Sequence, residues 1–226
     1  MKMGARIAER AREPRYTVPE GAAFIHRPTS TVRRWALGHA RTLNGETRRD
    51  EPLIQVDGSP GEPVILSFLN LLELRFLGSY RKRVPLQAIR RALDYVAGEL
   101  NEDRPLLTVE FKIHGRSLFL DFADHAMLNA SERGQLAWPD ALEEFIQAVD
   151  YEQSAAVRWW PLGRGQPVII DTRLNGGLPS TAESGVRTRA IAVHRHEGFG
   201  VEEIAKDVGA RPREVKAALH FERVAA

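Results

Sequence analysis

Apolar residues repeat at helical spacing near both ends of the chain, and the two repeats share one layout. In the first, Ala22 is followed three residues later by Ile25 and ten residues later by Val32. In the second, Ala205 is followed at the same intervals by two valines. This pattern is typical of a helix-turn-helix. It has a small residue where two helices cross, then a turn, and then the buried face of a second helix. The chain is therefore predicted to carry this unit twice, each copy with an exposed face suited to the DNA major groove.

The first copy begins with a helix-start signal. Residues 17–20 have the Thr-x-x-Glu form of a capping box, with Pro19 in the first helical turn. His26 follows this short helix, at a place where glycine usually supplies a left-handed turn residue, and histidine tolerates that conformation better than most side chains. The second helix is predicted over 29–37, with Val32 and Trp35 inward. Its outward residues are Ser30, Thr31, Arg33 and Arg34.

A hairpin is predicted after this helix. Asn44-Gly45 is a strong signal for a two-residue hairpin turn, and it lies between Arg41 and the pair Arg48-Arg49. A basic hairpin at this place is typical of a wing that lies along a phosphate backbone. Residues 52–56 alternate in polarity and are predicted to form a short strand.

The remaining pattern predicts an α+β protein. Ser67 is the expected N-cap of a helix over 68–80, and Pro85 starts the next helix. The middle segment has strands at 107–111 and 117–121, a helix from Trp138 with one apolar face that includes Val149, and strands at 156–160 and 168–170. After a connection over 175–185, helices resume at 186–197, 201–208 and 212–223. We expect three parts: a winged helix-turn-helix over 1–100, a mixed or dimerising segment over 101–165, and a three-helix unit over 166–226.

Composition narrows the setting in which the chain works. The 226 residues include no cysteine, which fits a reducing compartment, and the amino terminus lacks the apolar core of a secretory signal. No run approaches the roughly 20 apolar residues that cross a membrane. A cytoplasmic location without membrane contact is expected.

Charge is distributed unevenly along the chain. Residues 1–50 carry 11 Lys and Arg against 5 Asp and Glu, a net charge of +6, whereas residues 99–152 carry 4 against 12, a net charge of −8. Opposite fields on separate segments suit one anionic partner and one other partner. Biased codon usage could also produce this asymmetry.

These motifs resemble those of two families. The first 100 residues are similar to MerR-like winged helix-turn-helix domains, in the 31–35 run that ends Arg-Arg-Trp and in the 86–90 helix. Residues 168–171, 188–189, 200–205 and 215–219 resemble a small helical domain of VapB-type antitoxins. The resemblance implies a homodimer that represses its own operon and neutralises a PIN-domain ribonuclease toxin. It also implies an arginine placed in the toxin's acidic cleft, for which Arg211 and Arg223 are candidates.

Catalysis and metal binding are not expected. His194 and His196 lack a pattern of further ligands, His114 and His125 have no accompanying nucleophile, and residues 163–165 lack the context of a dinucleotide loop. We therefore expect no enzyme activity, no cofactor and no metal. Trp159 and Trp160 could belong to the core or anchor an interface.

The predicted function is that of a DNA-binding antitoxin. Its expected DNA contacts are Ser30, Thr31, Arg33, Arg34, Arg41, Arg48 and Arg49. A second DNA or partner surface is expected at Arg211, Arg213, Lys216 and His220. Two alternatives stay open at this point: a stand-alone transcriptional regulator that binds a small effector, and a protein-interaction adaptor with no nucleic-acid role.

Overall fold

The computed structural model describes residues 2–43, 46–50, 52–56, 63–80, 86–104, 108, 138–153 and 155–225. Contacts divide the chain into two compact units, one comprising residues 12–146 and the other comprising residues 1–11 and 147–226. Both helices and antiparallel strands are present, so the α+β class is confirmed. The three-part division at 100 and 165 stays a prediction. The expected strands at 107–111 and 117–121, with His114 and His125, lie outside the described residues.

The first unit contains a helix-turn-helix and two two-stranded sheets. Its elements are β1 (Pro14–Thr17), α2 (Val18–Phe24), α3 (Thr29–Leu37), β2 (His39–Leu43), β3 (Glu46–Asp50), β4 (Ile65–Ser67), α4 (Phe68–Tyr80), α5 (Leu86–Leu100) and α6 (Trp138–Gln147). Strand β1 pairs antiparallel with β4, and β2 pairs antiparallel with β3. A helix that was not predicted, α1 (Lys2–Arg12), comes before these elements in the chain.

Two side-chain caps start helices where the sequence predicts them. The Thr17 backbone N–H donates to Glu20 at 2.8 Å and the Glu20 N–H donates to the Thr17 hydroxyl at 3.3 Å, which completes the capping box of α2. At α4, Asn70 N–H donates to the Ser67 hydroxyl at 3.2 Å and Ser67 N–H donates to Asn70 at 3.1 Å. These reciprocal bonds satisfy amide groups that have no partner within the helix.

Helix α4 forms the centre of the first unit. Five of its apolar residues are fully buried, and they project from the helix in several directions: Phe68, Leu71, Leu72, Leu74 and Phe76. A helix with this pattern must be enclosed by other elements. Phe76 packs edge-to-face against Phe145 of α6, with ring centroids 5.2 Å apart.

The predicted strand at 52–56 is wrong, because its backbone bonds to side chains and to a helix end instead of to a strand. The Gln55 carbonyl accepts from the Asn70 amide and from the Arg104 guanidinium, both at 2.7 Å. The Leu53 N–H donates to the Trp35 carbonyl at 2.7 Å, near the end of α3. The segment thus supports the C-terminal end of the helix that carries the expected DNA contacts.

The second unit combines a four-stranded antiparallel sheet with three helices. The sheet order is β5 (Val149–Glu152), β6 (Ala155–Trp159), β7 (Val168–Asp171) and β8 (Ser180–Thr181), with a 3₁₀ turn at Asn175–Gly177. The helices are α7 (Thr188–His196), α8 (Val201–Asp207) and α9 (Pro212–Ala225). The helix from Trp138 ends at Gln147, and Val149 is the first residue of β5. The prediction that Val149 lies on the apolar face of that helix is therefore wrong. Ile191, Ile204, Val215 and Ala218 form the core between the three helices.

The two adjacent tryptophans divide between core and surface. Trp159 is 1% exposed, whereas Trp160 is half-buried, with the guanidinium carbons of Arg158 and Arg164 5.9 and 5.7 Å from its ring centre. The Trp160 indole N–H donates to Asp150 at 3.0 Å. Because neighbouring residues in a strand face opposite sides, one tryptophan packs inward and the other outward.

Candidate nucleic-acid interface

Helix α3 separates its apolar and cationic residues onto two faces. Val32, Trp35 and Ala36 are buried, with exposed fractions of 0, 3 and 3%. Arg33 and Arg34 are exposed on the other side. At about 100° per residue, Ser30 and Leu37 lie on the same outward face as the two arginines, and both are exposed. The helix therefore presents a continuous outward face that ends in an apolar side chain.

Thr31 corrects the predicted set of outward residues. Its exposed fraction is 6%, so it belongs to the buried face. Thr31 lies four residues before Trp35, and side chains four apart project from the same side of a helix. Leu37, which is 41% exposed, belongs to the outward face and was not among the predicted outward residues. Helical spacing from Arg33 and Arg34 was the signal that could have identified it.

The turn between α2 and α3 fixes how α3 is presented. His26 has a φ of 55°, in the left-handed region where the sequence analysis placed it. Its N–H donates to the Ala23 carbonyl at 3.0 Å, and the Arg27 N–H donates to the Ala22 carbonyl at 2.9 Å. These two bonds form a Schellman motif, which satisfies carbonyls at the end of α2. The Thr31 and Val32 amides then donate to the Pro28 carbonyl and start α3.

A close approach between α2 and β4 requires a glycine at position 21. A Cβ built there would lie 2.5 Å from the Leu66 Cδ1 atom and 3.0 Å from the Leu71 Cδ2 atom. Both leucines are fully buried, with exposed fractions of 0%. Gly21 thus lets the first helix of the motif pack directly on the core, and α3 projects from that fixed base.

The arginines of this unit fall into two groups. The Arg27 guanidinium donates to the Gly78 carbonyl of α4, and Arg104, 6% exposed, lies 3.7 Å from Glu73. These two support the fold. Within the part of the chain that the structure describes, no carboxylate pairs with the exposed Arg33 or Arg34. Their guanidinium donors are available to an anionic ligand.

The backbone of the predicted wing is a regular hairpin that begins two residues after α3. In β2 and β3, His39 pairs with Asp50, Arg41 with Arg48, and Ala40 with Arg49. Asn44 and Gly45 lie outside the described residues, as do the side chains of all three wing arginines. The hairpin therefore brings these positions together in the backbone, and their contact with DNA stays a prediction.

The second copy of the motif has the same turn and a different electrostatic setting. Gly209 has a φ of 67°, and the Ala210 N–H donates to the Ala205 carbonyl at 2.9 Å, as Arg27 does to Ala22 in the first copy. The residues expected to form a second surface are all exposed: Arg211, just before α9, and Arg213, Lys216 and His220 within it. Two of them, Arg211 and Arg213, pair with the same carboxylate, Glu183.

His194 has a local partner on each ring nitrogen. Its Nδ1 lies 2.9 Å from the Ala190 carbonyl and its Nε2 lies 3.0 Å from Asp207. The bond to the backbone carbonyl, together with Asp207, raises the pKa of His194 above its ordinary value of 6.5. Among the described residues, no three His, Cys, Asp or Glu side chains lie close enough together to hold a metal ion. The described helices include none that is both long and apolar enough to cross a membrane.

Comparisons with known proteins agree with a helix-turn-helix at this place. Residues 14–93 match a family described as "Putative DNA-binding HTH domain". Over 222 residues the chain is 24% identical to "Putative antitoxin VapB45" of Mycobacterium tuberculosis (strain ATCC 25618 / H37Rv), covering 91% of this chain and 92% of that protein.

A solved structure shares the fold. The crystal structure of Rv2018 from Mycobacterium tuberculosis matches with a TM-score of 0.71 at 22% identity, over 92% of this chain and 98% of that chain. At this identity the likeness shows the fold alone. The N-terminal segment is therefore a helix-turn-helix domain similar to DNA-binding ones, within an α+β chain whose fold has a solved counterpart.

Proposed function

We propose that the chain is a DNA-binding antitoxin that represses transcription of its own operon and neutralises a PIN-domain ribonuclease. The observation that carries the DNA-binding part is the exposed arginine pair on α3, which no carboxylate in the described part of the chain contacts. This pair lies next to a hairpin, within the segment that matches DNA-binding helix-turn-helix domains. Arginine donates two hydrogen bonds to the O6 and N7 atoms of guanine, which is the commonest specific contact in the major groove.

The two arginines and Ser30 form the proposed base-reading face, and the hairpin supplies backbone contacts. Phosphate contacts position a protein on the duplex without specifying sequence, whereas base contacts specify. We therefore assign Arg33 and Arg34 to base edges, and Arg41, Arg48 and Arg49 to phosphates. Buried Thr31 is left out of this interface. A homodimer would place two α3 helices on half-sites about 34 Å apart, one helical turn of DNA.

The antitoxin part rests on similarity to the mycobacterial antitoxin along most of both chains. A PIN-domain nuclease binds its cations with carboxylates, so a guanidinium is a suitable blocking group. Of the two candidates, Arg211 already pairs with Glu183 at 2.6 Å. Arg223 is exposed, and the described part of the chain offers it no ion-pair partner. We retain Arg223 as the candidate for the toxin cleft.

The DNA-binding part is tested by fluorescence anisotropy with the duplex that precedes the protein's own reading frame. Arg33→Ala and Arg34→Ala should each weaken binding by about 1–3 kcal/mol and relax the preference for that duplex over unrelated DNA. Arg187→Ala, which removes an exposed arginine from the other unit, is the control for net charge. Equal losses in all three variants would show that α3 is not the reading helix.

A further inference from the structure

The second motif carries a cationic face that is occupied by an internal anion. Arg211 and Arg213 lie at the start of α9, in the position that corresponds to the start of α3 in the first motif. The Arg211 guanidinium donates to one Glu183 oxygen at 2.6 Å, and the Arg213 guanidinium donates to the other. One carboxylate thus bridges two guanidiniums at the N-terminal end of a 14-residue helix.

Glu183 is held in this place by its own backbone. Glu214, in the first turn of α9, is 1% exposed, and its Oε1 accepts from the backbone N–H groups of Glu183 at 3.0 Å and Ser184 at 2.9 Å. The other Glu214 oxygen accepts from the Arg211 N–H at 3.0 Å. A single buried carboxylate therefore ties the turn to the helix start, which fixes the Glu183 backbone beside the two arginines and leaves only its side chain able to rotate away.

Glu183 places an anion between two guanidiniums at the start of a helix. A phosphate group suits the same place, because guanidiniums bind phosphate oxygens with strong charge-assisted hydrogen bonds and the helix dipole favours negative charge there. Arg211 and Arg213 keep 67 and 61% of their side-chain surface exposed, so a duplex could reach them once the carboxylate is gone. On α3, by contrast, no carboxylate in the described part pairs with Arg33 or Arg34.

We propose that Arg211 and Arg213, together with Lys216, form a second DNA-phosphate site on α9, and that the Glu183 carboxylate closes it. The inference rests on the proposed DNA-binding function. It assigns the two copies of one motif different roles: the N-terminal copy binds the operator, and the DNA affinity of the C-terminal copy is lowered by a carboxylate that already pairs with its arginines.

The test uses the full chain with Arg33→Ala and Arg34→Ala, so that the first motif contributes little, and a duplex of unrelated sequence. Adding Glu183→Gln should strengthen binding about three- to tenfold, because exposed ion pairs are modest in energy. It should also steepen the dependence of log K on log salt by about one to two units, since each neutralised phosphate contributes about −0.9. Glu202→Gln is the matched control, because it makes the same charge change at an exposed position of α8.

Two further variants keep the outcome decisive. Arg211→Ala with Arg213→Ala should abolish the gain produced by Glu183→Gln. In a chain that retains Glu183, the Arg211→Ala, Arg213→Ala double variant should lose some affinity for unrelated DNA. This loss should be no larger than that of the Arg187→Ala, Arg195→Ala double variant, which removes two other exposed arginines. Equal effects of Glu183→Gln and Glu202→Gln would overturn the proposal. Because unrelated DNA is used, this result is independent of whether α3 recognises an operator.

Discussion

The arginines of this chain differ in function according to what surrounds them. Arg27 donates to a carbonyl of α4 and supports the fold, whereas Arg33 and Arg34 are exposed on α3. Arg211 is exposed as well, yet it shares a carboxylate with Arg213. A guanidinium is always charged, so its local partners decide whether its donors are available. Counting basic residues in the sequence cannot make this distinction.

Asp171 is a buried carboxylate of the second unit that two arginines surround. It is 3% exposed and accepts from Arg158 at 2.8 Å and from the Arg173 side chain at 2.9 and 2.8 Å. Burial alone would raise the pKa of Asp171, but the hydrogen bonds from Arg173 and Arg158 outweigh it and hold that pKa below the ordinary value of 3.8.

Asp171→Asn should therefore lower the free energy of unfolding by about 1.5–3 kcal/mol at neutral pH. The pKa of Asp171 is lower in the folded than in the unfolded chain. The contribution of the Asp171 carboxylate to stability is therefore complete above pH 3.8 and is lost as the pH falls through the pKa of the folded chain. Urea denaturation at several pH values measures both effects. Asp94→Asn, at an exposed position, is the control. An acid dependence that is unchanged in Asp171→Asn would show that this carboxylate does not couple to folding.

At the scale of elements, the two helix-turn-helix copies show which parts of a fold local sequence determines. Both turns have a left-handed residue, His26 or Gly209, and both return an amide to the alanine carbonyl of the preceding helix. The intervals between alanine and valine predicted these turns, because the crossing of two helices depends on residues close in sequence. Capping residues predicted the helix starts for the same reason.

Thr17→Ala tests the cap of α2. Removal of the hydroxyl leaves the Glu20 amide without its 3.3 Å bond, and N-cap losses of this kind cost about 1 kcal/mol of stability. Urea denaturation should show this loss, while Ser30→Ala, which removes an exposed hydroxyl, should leave stability nearly unchanged. A Thr17→Ala protein as stable as the parent chain would contradict the role of the capping box.

Elements that depend on distant contacts were not predictable in the same way. The 52–56 segment alternates in polarity like a strand. Its Gln55 carbonyl nevertheless accepts hydrogen bonds from the side chains of Asn70 and Arg104, which are 15 and 49 residues away in the chain. The pairing of β1 with β4 joins residues about 50 positions apart, and no local pattern indicates it. At the site, the arginine pair was evident from the sequence. The burial of Thr31 follows from its spacing of four residues from Trp35, whereas the pairing of Glu183 with Arg211 and Arg213, about 30 residues away in the chain, requires coordinates.

Taken over its full length, a chain with the proposed function binds two partners, DNA and a toxin. The basic first 50 residues suit DNA, and the acidic 99–152 segment suits a protein partner. If the chain is an antitoxin, the product of the adjacent reading frame should co-elute with it on a sizing column, and Arg223→Ala should restore part of that product's ribonuclease activity. Failure of the two proteins to co-elute would remove the antitoxin part and favour a stand-alone regulator.

Protection of guanine N7 from methylation, on the duplex that precedes the protein's own reading frame, reports whether α3 contacts bases in the major groove. Entry of α3 into the major groove should protect discrete guanines, and Arg33→Ala should lose protection at one position in each half-site while the others persist. Arg213→Ala should leave the protection pattern intact. Absence of N7 protection, or a pattern that changes with Arg213 and not with Arg33, would contradict the account.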